Sequence, residues 1–104
     1  MGINGFDADL FDAAEFGDIA WVQRSVGSVG LDGKPIDINA QDERGVTILM
    51  IASRQGWIEI VRFLLVNGAS PSLKDNQGQT ALMKAQANGW TEIVDLLKRS
   101  RGQS

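Results

Sequence analysis

Apolar positions recur at helical spacing twice along the chain. Leu49 and Ala52, and later Leu82 and Ala85, lie three residues apart and share one face of a short helix. Ile60, Val61, Leu64 and Leu65 then follow at the i, i+1, i+4, i+5 spacing of a second, amphipathic helix. Gly56 and Gly89 break the chain between the paired helices, and Asn67-Gly68 ends the second, with Gly68 as a left-handed cap. Laid over Asp75–Arg99 at an offset of 33, Asp42–Val66 matches at 12 of 25 positions, Trp57/Trp90 and Glu59/Glu92 among them. A fixed period of that size marks a solenoid, in which each unit buries its apolar face by stacking on its neighbours.

The matched polar residues have local tasks. Asp42 and Asp75, each followed three residues on by Gly, fit a tight turn in which the carboxylate bonds nearby backbone. Thr47 and Thr80 stand where the first helix of each unit begins, so a hydroxyl can accept from an otherwise unpaired N–H. A degenerate first unit is found in DLFDAAEFGDIAWVQRSV from Asp9, once Gly17 is aligned with Gly56. Leu10, Ala13, Trp21 and Val22 then fall on core positions.

These residues resemble the ankyrin repeat, D-x-x-G-x-T-P-L-H-x-A-x-x-x-G-H-x-E-I-V-x-L-L-L-x-x-G-A. Gly45 to Leu49, Gly56 to Val61 and Leu64 to Ala69 carry the match. Two departures stand out: the family's Pro is Ile48 or Ala81, and its buried His is Met50 or Met83. Their replacement suggests a polar network exchanged for apolar packing. The resemblance implies an all-α ankyrin-repeat solenoid of stacked helix-turn-helix units with β-turn/finger connections. The boundaries that follow are a flexible 1–8, then one domain over 9–104. Within it, an N-capping repeat covers 9–41 with a long loop at 27–36, a regular repeat covers 42–74, and a C-capping repeat covers 75–104. Lys84, Gln86 and Lys98 put polar groups where a fourth unit would pack.

The resemblance further implies binding of a protein partner by a concave face made of turn tips and the exposed side of the first helices. Carried over by position, the turn residues are Glu43, Arg44 and Val46, then Asn76, Gln77 and Gln79. The first-helix ends are Glu15 and Phe16, Arg54 and Gln55, and Ala87 and Asn88. Phe16 and Val46 are the apolar anchors of this set, with Arg44 and Arg54 as charged contacts. Trp57 and Trp90, at the start of each second helix, are open to two readings: cover for the inter-helix turn, or interface anchors.

Composition narrows the chemistry. The 104 residues contain no Cys and no His, which excludes disulfides, thiolate nucleophiles and imidazole bases. An enzyme is therefore not expected, nor a cofactor or metal. Gly27 to Pro35 does not make a phosphate loop, because Pro35 stands where Ser or Thr is required; nor does the stretch from Asp37 make a calcium loop, since Ile48 takes the bidentate Glu position. With a net charge of −3 and no basic stripe, nucleic acid is not an expected partner. No apolar run approaches the roughly 18 residues of a membrane span, so a cytoplasmic monomer is expected. Five carboxylates and no base precede Arg24, while Lys98, Arg99 and Arg101 make the other end basic. Beside a general protein-binding module stand two alternatives: a dedicated immunity-type inhibitor of one enzyme, and a structural segment of a longer repeat protein.

Overall fold

In the computed structural model the described residues are 14–25 and 38–102. Residues 14–16 are helical, and five helices follow among the described residues: α1 (Ile19–Ser25), α2 (Ile48–Gln55), α3 (Ile58–Val66), α4 (Ala81–Ala87) and α5 (Thr91–Gly102). Among the described residues there is no strand. Helix α2 packs on α3 within its own unit and on α4 of the next, α3 packs on α1 and α5, and α4 packs on α5. The chain is thus an all-α stack in two rows. Expectations for 1–8, for the 27–36 loop and for the burial of Leu10, Ala13 and Trp21 fall outside what is described; Val22 is fully buried, as its alignment required.

Local chemistry explains where α2 and α4, the first helices of the two regular units, start. The Thr47 hydroxyl accepts from the Met50 N–H at 3.2 Å, and Thr80 does the same for Met83. In α2 the cap is reciprocal, because the Met50 sulfur accepts the Thr47 N–H at 3.5 Å. At Met50 the replacement of the family's His is therefore more than apolar filling: a polarizable thioether still supplies a weak hydrogen-bond acceptor. Helix α5 runs to Gly102. Its last residues include the cations Lys98, Arg99 and Arg101, which favour a helix C-terminus.

The core is a single ladder of side chains. Val22, Leu49, Ile60, Val61, Leu64, Ile93 and Leu97 are all buried in one cluster with Ala52, Ala81 and Ala85. The alanines let helix backbones approach, and each buried Leu or Ile contributes about 1.5–3 kcal/mol over an exposed one. The turns add a second, polar ladder. Asp42 Oδ1 accepts from Arg44 and Val46 N–H at 2.8 and 2.9 Å, and Asp75 Oδ1 from Gln77 and Gln79, both at 2.9 Å. Adjacent turns are stitched by Asn76 N–H to the Arg44 carbonyl (2.9 Å), Asn76 Nδ2 to the Glu43 carbonyl (2.9 Å) and Gln41 Nε2 to the Lys74 carbonyl (3.0 Å). Turn geometry and stacking register are consequently one network.

Candidate partner-binding surface

The two stitched turns and the helices behind them enclose a cleft of about 310 Å³ lined by Arg44, Val46, Met50, Ile51, Arg54, Asp75, Asn76, Gln77 and Lys84. Five of the residues picked out by the repeat pattern meet there: Arg44, Val46, Arg54, Asn76 and Gln77. Others stand just behind. Glu15 binds Arg54 Nη2 at 2.6 Å and also accepts from the Gln55 amide, so the first unit buttresses the cleft wall. Gln79 Oε1 accepts from Lys84 Nζ at 3.2 Å, and Glu43 is exposed at the turn tip.

Three picks, Phe16, Ala87 and Asn88, do not join the cleft. Phe16 is 80 % exposed but does not line it. Asn88 caps α4, its amide donating to the Lys84 carbonyl at 3.0 Å, a structural task sufficient to explain it. The pattern missed Met50, Ile51, Asp75 and Lys84. Lys84 stands where the middle repeat has Ile51, and it reads from sequence as capping polarity; in the fold its ammonium turns to Asp75 Oδ2 at 2.9 Å, with 14 % and 5 % of the two side chains exposed.

The turn carboxylates Asp42 and Asp75 are held charged. The Lys84 ammonium, then the Gln79 N–H, and against burial also the Gln77 N–H, bring Asp75 down to about 2. At Asp42 burial acts upward, but the Val46 and Arg44 N–H groups and the Arg44 guanidinium outweigh it and its pKa is lowered. Because the folded pKa of Asp75 lies below its ordinary 3.8, its ion pair stabilises the fold fully above about pH 4 and is lost as pH falls toward 2. Asp75→Asn is accordingly expected to lower the melting temperature at pH 7, with the gap from wild type closing between pH 4 and 2. An offset that stays constant over that range would show that the Lys84 pair contributes nothing.

The tryptophans sit on the other side of the first helices and form a repeated clasp. Trp57 Nε1 donates to the Glu15 carbonyl at 3.2 Å, and Trp90 Nε1 to the Arg54 carbonyl at 2.8 Å. Each ring lies against the glycine two residues after that carbonyl. A Cβ on Gly17 would come within 2.7 Å of the Trp57 ring, and one on Gly56 within 2.7 Å of the Trp90 ring. The indoles therefore join each unit to the one before it, which settles their packing role. Both remain more than a third exposed.

Among the described residues no helix is long and apolar enough to cross a membrane, and no group of three His, Cys, Asp or Glu could hold a metal ion. No curated protein matches the chain in sequence. A solved relative comes from the complex of Bd0816, a predatory endopeptidase from Bdellovibrio bacteriovorus, with the immunity protein Bd3460. It is 41% identical, with a TM-score of 0.76 over 88% of this chain, which itself spans 45% of that one. The fold is shared with 371 matching solved chains, so architecture alone does not select a partner. The family model described as ankyrin repeats (3 copies) matches residues 10–104, and the chain belongs to the ankyrin-repeat family, whose repeats mediate protein–protein interaction.

Proposed function

We propose that this ankyrin-repeat chain binds a protein partner through its concave side, with the cleft between its second and third repeats at the centre of the contact. The observation that carries this reading is the convergence of Arg44, Val46, Arg54, Asn76 and Gln77 on one cleft. They come from two successive turns and a first helix, on a framework whose turn, cap and core residues recur at an offset of 33. Arginines beside apolar surface are the side chains that anchor interfaces. In this reading the chain has no catalysis of its own and works as a cytoplasmic monomer.

A second reading is a dedicated inhibitor that blocks one enzyme. It is favoured by a specific likeness, since the relative at 41% identity is an immunity protein held in complex with an endopeptidase. Both readings use the same surface and differ in what the partner does.

One experiment addresses both: capture from the source lysate by wild type beside the quadruple variant Glu43→Ala, Arg44→Ala, Val46→Ala, Arg54→Ala, after circular dichroism shows both folded. Capture is expected to fall at least tenfold in the variant, as about 1.4 kcal/mol of lost contact suffices for that factor. Equal capture would move the surface elsewhere on the molecule. If the captured protein is an enzyme, a loss of its activity on adding the purified chain distinguishes the inhibitor from a neutral adaptor.

A further inference from the structure

We propose that the cleft accepts an acidic segment of the partner, a loop or extended stretch in which Asp or Glu stands beside an apolar residue. The carboxylate is taken by Arg54 and Arg44, and the apolar neighbour rests on the half-buried Val46, with the buried Met50 and Ile51 forming the floor beneath it. The proposal rests on the concave-face reading and specifies its chemistry.

The arrangement of charges points this way. Three cations line the cleft, while two of the carboxylates that hold them, Asp42 and Glu15, are absent from its lining. The third carboxylate, Asp75, does reach the wall, but Oδ1 is filled by two backbone N–H groups and Oδ2 by Lys84, with 5 % of the side chain exposed. It presents little negative charge to an incoming group. Lys84 is likewise engaged, by Asp75 and Gln79.

The two arginines differ. Arg44 has 71% of its side chain exposed and Arg54 has 44%, and each binds its carboxylate through Nη2. A guanidinium carries five N–H donors, so both keep donors for a further carboxylate, which Arg recognises through two parallel hydrogen bonds. The carboxylates behind orient the guanidinium groups without covering them. This positive lining is local, because the protein as a whole carries a net charge of −3. The cleft, at about 310 Å³, has the liquid volume of about ten waters. That is room for a pair of side chains.

Glu15 is then an internal competitor. Its pair with Arg54 is partly exposed, and exposed pairs are weak and exchange readily. Removing its charge should improve the cleft for an acidic ligand, whereas a merely structural Glu15 would make every ligand bind worse when altered.

The test uses the full chain, isotope-labelled for NMR, and two capped Gly/Ser peptides, one with a central Leu-Asp-Glu and one with Leu-Lys-Lys. Each is added to about 5 mM, enough to see millimolar dissociation constants. The acidic peptide is expected to shift the Val46, Ile51 and Gln77 amides and the Arg54 side chain, and to weaken severalfold between about 50 and 300 mM salt. Arg54→Gln should cut its affinity at least fivefold. Glu15→Gln should raise it about threefold, with the Trp57 and Trp90 indole signals unmoved to show that the repeats remain docked. The lysine peptide should leave the cleft unshifted. Equal shifts from both peptides would overturn the acidic preference while leaving the concave-face reading intact. No cleft shifts, or weaker binding to Glu15→Gln, would overturn the proposal itself; the parent reading is decided separately by partner capture with the quadruple variant.

Discussion

Gly56→Ala lowers the unfolding free energy by about 3 kcal/mol, whereas Gly89→Ala, at the same position one repeat later, lowers it by about 1 kcal/mol. Both glycines are left-handed, with φ of 88° at Gly56 and 75° at Gly89, so both substitutions incur the backbone strain of an L residue there. Only Gly56 also faces a ring. Its new Cβ would come within 2.7 Å of the Trp90 indole, while nothing lies within 4 Å of the corresponding position at Gly89. The indole must lift, and its hydrogen bond to the Arg54 carbonyl goes with it. Subtracting the Gly89 cost from the Gly56 cost isolates the clasp between the second and third repeats. Urea unfolding of the two variants measures the difference, and the indole N–H resonance of Trp90 reports whether the ring moved. Equal costs would mean that the ring shifts freely and the clasp adds nothing to stacking.

Elements whose residues act locally were legible in the sequence. Asp42 and Gly45 build their turn from contacts within five residues, and Thr47 caps a helix that begins beside it. Such tasks leave a spacing that repeats with the unit. Arg44, Val46 and Arg54 were also legible as surface, because they vary where the framework is constant. Lys84 was not, since its partner Asp75 lies nine residues away and the identical spacing in the preceding repeat pairs Asp42 with the apolar Ile51. The tryptophans were ambiguous because one residue type serves both packing and recognition. A signal that could have resolved them lies in the first repeat, where the equivalent position is Asp18. At this position tryptophan stands only in the two repeats that have another described unit before them to clasp, beside the glycines that admit its ring. The acidic preference of the cleft depends on which face of each ion pair is turned outward, and no one-dimensional pattern carries that.

Position along the stack decides the second large effect. Leu64→Ala and Leu97→Ala remove the same atoms from equivalent sites, both fully buried. Each leaves a cavity, for which the expected cost is about 3–5 kcal/mol if the surroundings do not collapse. Their neighbours differ. Leu64 lies on α3, which packs on α1 of the first repeat, on α2 of its own and on α5 of the third. Leu97 lies on α5, whose main packing partners among the described helices are α3 and α4. In a nearest-neighbour stack, weakening the central unit weakens both interfaces, so the whole array loses stability together. Leu64→Ala should therefore unfold in one transition, shifted to lower urea by the full cost and with an unchanged slope. Leu97→Ala should let the third repeat open first, giving a broader transition with a shallower slope and early hydrogen exchange confined to α4 and α5. Coincident, equally steep transitions for the two variants would show that the repeats are coupled more strongly than their contacts account for. The distinction matters for binding, because Asp75, Asn76, Gln77 and Lys84 belong to the repeat that opens. A chain whose third repeat is released keeps Arg44 and Arg54 but loses the opposite wall of the cleft.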